Sequence, residues 1–227
     1  MTVLFAATVL IGNLLEDVSI QTGFPFGSYY HTTGPKIIDV PISVGPTYFA
    51  IGYVAWRVAG ILLGSADGGP GSTLLQPIVA AVLATMYDLT IDPIGSTVAR
   101  FWVWRHGGAY FGVPISNFLG WLLTVYLFLQ VFAIVVRRRA GVARIGDTAT
   151  PDLVPVLVYL AMGMTAVFAW LHALGSSSRI VADGTGHEWS VRALYAGTML
   201  VSLFTVCFIA LLAAALTQRH DQRGTGS

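Results

Sequence analysis

Two aspartates lie four residues apart at the end of an apolar run of the sequence. Asp88 and Asp92 belong to the segment DLTIDP, and Pro93 follows the second of them. Residues four apart project from the same face of a helix, so we expect two carboxyl groups side by side near a helix end. Two like charges so close together and removed from water do not both ionise easily. We therefore expect at least one of these carboxyls to keep its proton and to act as a proton donor.

A structural role for the same carboxyls is the alternative. Arg57 lies in another apolar run. Because buried charges are usually paired, Asp88 can instead neutralise Arg57, while Asp92 caps its helix or faces water. Glu16 follows the first apolar run, where water is available at a helix end. Ionisable groups within membrane-spanning segments are costly, however, and each is therefore a candidate for a functional site.

An aromatic and glycine-rich segment, FWVWRHGGAYFGVPISNFLGW, occupies residues 101–121. Aromatic belts at membrane interfaces account for part of this composition. The stretch GGAYFGVP within it is instead typical of a re-entrant or folded loop that is buried in protein. Aromatic faces in such a loop stabilise a cation by about 2 kcal/mol or more once the cation is removed from water. An earlier segment, TGFPFGSYYHTTGP at 22–35, has a similar composition and contains His31.

Charged residues are scarce along the whole chain. Of its 227 residues, 55% are hydrophobic and 10% are charged, and the mean hydropathy is +0.72. Soluble domains carry roughly 25% charged residues, so most of the outer surface of this protein must face lipid. A net charge of +1 provides no extended positive surface, which excludes nucleic acid as a main partner.

Six apolar runs predict membrane-spanning helices, since a crossing needs about 20 apolar residues. The runs are 1–15, 46–64, 74–91, 115–136, 153–175 and 194–216. We predict an all-α, polytopic membrane helix bundle of about six transmembrane helices, with the aromatic segment as a re-entrant or folded loop. The chain is expected to form a single integral membrane domain over 1–227, with a disordered tail at 218–227.

The distribution of arginine predicts the orientation in the membrane. Basic residues follow the fourth and sixth apolar runs, at Arg137, Arg138, Arg139, Arg144, Arg219 and Arg223. They place both termini in the cytoplasm, and we expect the protein in the plasma membrane of a prokaryote. Three long connections then share the opposite face, namely 16–45, 92–114 and 176–191.

Metal and nucleotide chemistry find no support in the sequence. The histidines are scattered singly, at His31, His106, His172, His187 and His220. Membrane di-iron enzymes instead need clustered histidines. Neither a nucleotide-binding glycine motif nor a serine nucleophile elbow is present. We expect neither a metal nor a cofactor.

Four pieces of the sequence resemble a known family. They are TGFPFGSYYHTTGP at 22–35, DLTIDP at 88–93, FWVW at 101–104 and GAYFGVPISNFLGW at 108–121. Together they resemble the CruF-type carotenoid biosynthesis proteins, the carotenoid hydratases, over residues 16–121. The resemblance implies addition of water across the terminal carbon–carbon double bond of an acyclic carotenoid end. The product is a tertiary alcohol, formed without redox change or cofactor.

Hydration of an isolated alkene needs a desolvated acid, a site that tolerates a tertiary carbocation, and one positioned water. We expect Asp88 and Asp92 to divide proton donation and water activation. Residues expected to flank the cation are Trp102, Trp104 and Tyr110. Residues expected to position water are His31 and Asn117. Further candidate contacts to the substrate are Glu16, Arg57 and Trp121.

The expected partners are water, lipid and a long apolar carotenoid that enters between helices from the bilayer. Two other functions stay open on the sequence. A carotenoid cyclase or isomerase begins with the same protonation but ends with ring closure and proton loss. A non-catalytic carotenoid-binding membrane protein would leave the pigment unchanged.

Overall fold

The computed structural model describes residues 1–64, 72–140, 153–175 and 179–224. This part of the chain is a bundle of long helices with short strands at one end. The helices are α1 (Thr2–Ala7), α2 (Asn13–Thr22), α3 (Val44–Leu63), α4 (Ser72–Asp92), α5 (Ile115–Ala140), α6 (Leu153–Leu174), α7 (Val191–Ser202) and α8 (Phe208–Gly224). Three short π-helical segments adjoin them, at Thr8–Gly12, Pro93–Val98 and Leu203–Cys207.

Six of the described helical stretches are long and apolar enough to cross a membrane. They are Thr2–Thr22, Val44–Leu63, Thr73–Val98, Ile115–Arg138, Leu153–Leu174 and Val191–Arg219. This confirms the predicted polytopic helix bundle. The first span is longer than the predicted run 1–15, because Glu16 is 8% exposed and lies inside the bundle rather than at a hydrated helix end.

The last helix also extends further than expected. We predicted a disordered tail over 218–227, but α8 continues through Gly224. The reason is local, since Gln218, Arg219 and the residues that follow them contain good helix formers and no proline. Residues 225–227 lie outside the described part of the chain.

Small residues let α3, α4 and α5 approach one another closely. Ala55 of α3 and Ala84 of α4 are fully buried, and small side chains are the usual means of close packing between membrane helices. A Cβ at Gly52 would lie 2.7 Å from Cε2 of Phe128 on α5, so this crossing requires glycine. The close packing brings the polar residues at the ends of these helices near each other.

In the described parts of the chain, six short strands lie between the helices. They are β1 (Tyr29–His31), β2 (Lys36–Ile37), β3 (Val40–Pro41), β4 (Trp102–Trp104), β5 (Ile180–Ala182) and β6 (Glu188–Ser190). Strands β1 and β4 pair antiparallel, with Tyr30 opposite Val103. The pairs β2–β3 and β5–β6 are local hairpins. The predicted folded aromatic loop therefore begins as a strand that is held by the preceding long connection.

The three long connections meet at one end of the bundle. Pairing of β1 with β4 joins the first to the second, and the Arg100 side chain donates to the carbonyl of Ala182 in the third at 3.3 Å. A Cβ at Gly184 would lie 2.0 Å from the carbonyl oxygen of Trp104, so the third connection packs directly against β4. Residues 176–178 of the predicted third connection lie outside the described residues.

One carboxylate organises the third connection. Asp183 accepts hydrogen bonds from the Thr185 backbone N–H at 2.9 Å and the Thr185 hydroxyl at 2.7 Å. It also accepts from the His187 N–H at 3.1 Å and from the Trp189 indole at 2.9 Å. Burial alone would raise the pKa of Asp183, but the hydrogen bonds from Thr185 and Trp189 outweigh it and lower the pKa below its usual value. The β5–β6 hairpin therefore depends on an ionised Asp183.

We expect Asp183→Ala to lower the free energy of unfolding by about 2 kcal/mol, since it removes several hydrogen bonds to a charged group. Because the folded-state pKa is lowered, this stabilisation is present above about pH 4, the usual pKa of an aspartate, and is lost as the pH falls through the folded-state value. The melting temperatures of the detergent-solubilised wild type and variant should therefore converge in acid. The exposed Asp39 supplies the control, Asp39→Ala. Equal melting temperatures for the two variants at pH 7 would contradict this role.

Candidate active site

A cavity of about 460 Å³ lies where the helix ends meet the connecting strands. Its wall is mainly aromatic and aliphatic, with a few polar groups, as is usual for pockets that bind small apolar molecules. The predicted site residues that line it are Glu16, His31, Asp88, Asp92, Trp102, Trp104, Asn117 and Trp121. The fold thus gathers these residues from three helices and two strands around one space.

The two aspartates share a single amide group. Asn117 on α5 donates from Nδ2 to Oδ2 of Asp88 at 2.8 Å and to Oδ2 of Asp92 at 2.6 Å. All three side chains are almost fully buried, with exposed fractions of 2%, 1% and 2% for Asp88, Asp92 and Asn117. An amide NH2 has two hydrogens, so each carboxyl receives one of them. Asn117 therefore holds the carboxyl pair together.

The two carboxyls differ in what surrounds them. Oδ1 of Asp92 accepts the indole N–H of Trp102 at 3.0 Å and of Trp104 at 3.2 Å. With Asn117, this gives Asp92 three N–H donors, an arrangement that suits an ionised carboxylate, which only accepts. Among the described residues, Asp88 accepts one hydrogen bond, from Asn117. These hydrogen bonds thus favour Asp92 as the anion of the pair and leave Asp88 with room for a proton.

The chain after α4 is shaped to bring an indole to Asp92. Helix α4 continues into the π-helical segment Pro93–Val98, where the Ser96 hydroxyl donates to the Asp92 carbonyl at 2.8 Å. A Cβ at Gly95 would lie 2.5 Å from Cη2 of Trp102. Only glycine at this position leaves room for the Trp102 ring to reach the carboxylate. Gly95 was not among the predicted site residues, although a glycine just after paired carboxyls is a recognisable sequence signal.

A second polar cluster forms another part of the cavity wall around Glu16. The Tyr48 hydroxyl donates to Oε1 of Glu16 at 2.8 Å, and the Tyr29 hydroxyl donates to Oε2. Nε2 of His31 lies 3.6 Å from the same Oε2. Burial raises the pKa of Tyr29 well above its usual value, and the neighbouring Glu16 raises it further, so this hydroxyl keeps its proton and remains a donor. Glu16 is therefore fixed by two tyrosines.

Sequence reasoning did not identify Tyr29 and Tyr48. Tyr29 lies inside the motif at 22–35, so the resemblance contained a signal for it. Tyr48 lies in an apolar run, where a tyrosine is equally typical of a membrane interface. Only the tertiary structure, which brings β1 and α3 to the same carboxylate, shows that both tyrosines bind Glu16. The alternative of a water-exposed Glu16 at a helix end is wrong, because the side chain is buried.

Two predicted site residues do not line the cavity. Arg57 donates to the hydroxyl of Tyr53 at 2.9 Å, and it lies nine residues beyond Tyr48 on α3, which is about 13 Å along the helix axis. Tyr110 donates to the carbonyl of Leu89 at 3.1 Å, and burial raises its pKa to about 12. Neither Arg57 nor Tyr110 therefore lines the cavity, although Tyr110 bonds the backbone of the residue that follows Asp88.

The tryptophans also differ from expectation in what they bind. We expected Trp102 and Trp104 to offer their faces to a cation, and both do line the cavity. Their indole N–H groups, however, are directed to Asp92. Each ring therefore combines an apolar wall with a donor that fixes the carboxylate. Among the described residues, no group of three or more His, Cys, Asp or Glu side chains lies close enough to hold a metal ion.

Comparison with known proteins agrees with the motifs. The chain matches the family described as carotenoid biosynthesis protein over residues 1–183. It is 30% identical over 113 residues to the bisanhydrobacterioruberin hydratase of Haloarcula japonica, a match that covers 48% of this chain and 37% of that relative's length. No solved structure matches the chain. Because the family match spans most of the sequence and includes both polar clusters of the cavity, the chain belongs to the carotenoid biosynthesis protein family.

Proposed function

We propose that this protein is a carotenoid hydratase, which adds water to the terminal double bond of an acyclic carotenoid end. The observation that carries the proposal is the buried pair of Asp88 and Asp92 bridged by Asn117 in an apolar cavity. Membership of the carotenoid biosynthesis family and the likeness to a hydratase support the substrate class. The reaction requires an acid that bulk water does not level, and a buried carboxyl provides it.

The reaction begins with transfer of a proton from Asp88 to the CH carbon of the terminal double bond. The pi electrons form the new C–H bond, and the neighbouring carbon becomes a tertiary cation. A water oxygen then bonds to this cation and loses one proton, which restores the acid in the protein. The net change is the gain of one water, so no oxidant, reductant or cofactor is needed.

The cavity wall suits the cationic intermediate. The carboxylate of Asp92, held by three N–H donors, supplies a fixed negative charge near the reacting carbon. Preorganised charges of this kind act most strongly where water is excluded. The rings of Trp102, Trp104 and Trp121 line the same space, and aromatic faces attract cations. The cavity therefore provides a fixed negative charge and an aromatic wall, both of which stabilise the cation that this proposal requires.

The polyene is expected to enter from the bilayer with one end first. Thr33, Gly34 and Phe101 line the cavity and are exposed, so they mark its mouth. The arginine distribution predicts that both termini lie in the cytoplasm of a prokaryotic cell. The cavity would then lie at the opposite face of the plasma membrane. The rest of the carotenoid would remain between helices and lipid.

The test of this proposal is the fate of isotopic water. Membranes that contain the protein are incubated with lycopene, an acyclic carotenoid, under argon in oxygen-18 water. We expect a product heavier than the substrate by one labelled water, and matched membranes without the protein should give none. A requirement for oxygen would contradict hydration. A cyclic product of unchanged mass would instead indicate a cyclase, and unchanged pigment that co-purifies would indicate a carrier.

A further inference from the structure

We propose that His31 is the base that takes the proton from the attacking water, and that Glu16 positions it and stabilises the imidazolium that forms. This inference rests on the proposed function and assigns its second proton transfer. From the sequence, one of the two aspartates was expected to activate the water. The contacts around the cavity favour the second polar cluster instead.

Asp92 is poorly suited to accept another proton. Its oxygens already accept from Asn117, Trp102 and Trp104. Protonation would turn one of these oxygens into a donor that faces donors, and it would leave buried N–H groups without a full acceptor. Asp88 has just become a carboxylate by giving its proton to the alkene. The water therefore needs a base outside the carboxyl pair.

Within the described part of the chain, the imidazole of His31 has a nitrogen without a hydrogen-bond partner, and the residue lines the cavity. Its side chain is 9% exposed and lines the cavity, on the strand β1. Among the described residues, its Nε2 is a buried atom without a hydrogen-bond partner. A buried polar atom without a partner is costly, and a bound water commonly satisfies it. The cavity wall thus contains an unsatisfied imidazole nitrogen that is not itself accessible to solvent, so a small rotation of the His31 ring is needed to bring it into contact with a cavity water.

Glu16 completes the water site. Its Oε2 lies 3.6 Å from Nε2 of His31, so a water that donates one hydrogen to Nε2 has the carboxylate beside it and keeps its lone pairs for the cavity. When the oxygen bonds to the cation, that hydrogen passes to Nε2. The resulting imidazolium lies beside a carboxylate that Tyr29 and Tyr48 hold in place. The proton then returns to Asp88, which closes the cycle with all atoms balanced.

Isotope partitioning separates the two proton transfers. In deuterium oxide, Asp88 delivers a deuteron to the CH carbon of the alkene. If the cation is not captured by water, that carbon loses its original proton to Asp88, and the double bond forms again. The recovered carotenoid then carries deuterium at its end group. We expect His31→Gln to lower alcohol formation about 100-fold or more, while deuterium incorporation into recovered lycopene persists. Glu16→Gln should show the same partition with a smaller loss of alcohol.

Neighbouring residues supply matched controls. His106 is exposed and Asp17 bonds Gln21, and neither lines the cavity. His106→Gln and Asp17→Asn should therefore hydrate lycopene at the wild-type rate. Size-exclusion profiles in detergent establish that each variant is folded. His31 lies in a strand outside the helices, so its variant keeps the test open even if Glu16→Gln does not fold.

The outcomes distinguish this inference from the proposed function. Hydration by wild type with alcohol formation undiminished in His31→Gln would overturn the inference and leave the function intact. A folded His31→Gln that loses both alcohol and deuterium incorporation would also overturn it, because His31 would then be needed for protonation. Absence of alcohol with wild type would overturn the function itself.

Discussion

Replacing Asp88 with Asn is expected to abolish hydration, with a fall in rate of about 100-fold to 10,000-fold, the usual range for loss of a general acid. An asparagine at position 88 still offers an oxygen to Nδ2 of Asn117, so the bridge to Asp92 can survive. The change therefore removes the transferable proton and little else. Rates are measured as alcohol formed from lycopene per unit of purified protein, and melting temperature should change little.

The control for this variant is Asp39→Asn, which makes the same chemical change at an exposed position of the β2–β3 turn. It should leave the rate unchanged. Deuterium incorporation into recovered substrate should also disappear in Asp88→Asn, since no cation forms. A folded Asp88→Asn protein with a near-normal rate would remove Asp88 from the mechanism.

Replacing Asn117 with Leu is expected to have the largest combined effect on stability and activity. Leucine has a similar volume but donates to neither carboxyl, so Asp88 and Asp92 would face each other without the amide between them. Loss of two hydrogen bonds to buried acidic groups should lower the free energy of unfolding by about 3 kcal/mol. The rate of hydration should fall at least about 10-fold, because the acid is no longer held in position.

Gln130 on the same helix supplies the control. It is partly buried and donates one hydrogen bond, from Nε2 to the carbonyl of Thr73 at 3.1 Å, and it does not line the cavity. Gln130→Leu should therefore cost less stability than Asn117→Leu and should keep the activity of the wild type. Thermal unfolding and lycopene turnover of the two variants, measured side by side, check both parts. An Asn117→Leu protein as stable as Gln130→Leu would contradict the bridging role.

The sequence predicted the parts of the site that depend on local periodicity. The spacing of Asp88 and Asp92 alone puts both on one helix face, and the structure places both in the cavity. Because charged residues are rare in this chain, a carboxyl within an apolar run could also be recognised as a candidate site residue rather than as part of a solvent-exposed surface. The partners of these carboxyls depend on tertiary contacts. Whether an indole turns its edge or its face to a carboxylate is decided by Gly95 and by the β1–β4 pairing, neither of which a local pattern specifies.

The helix bundle was predictable for a similar reason, because apolar length determines a membrane span. Helix ends were predicted less well where polar residues are buried. Glu16 looked like the end of the first helix, yet the tertiary contacts with Tyr29 and Tyr48 carry that helix on to Thr22. A polar residue ends an apolar run only if water, and not another part of the protein, satisfies it.

The position of the cavity at one end of the bundle has a consequence for the proposed reaction when a carotenoid has two reactive ends. A polyene that spans the bilayer offers one terminus to this side and leaves the other in the opposite leaflet. To have its second terminus modified, the molecule must leave, turn over in the membrane and dock again. The alcohol already formed must then cross the hydrocarbon layer, where an unpaired hydroxyl costs several kcal/mol. For the proposed hydratase, asymmetric, singly modified pigments are therefore the expected first product.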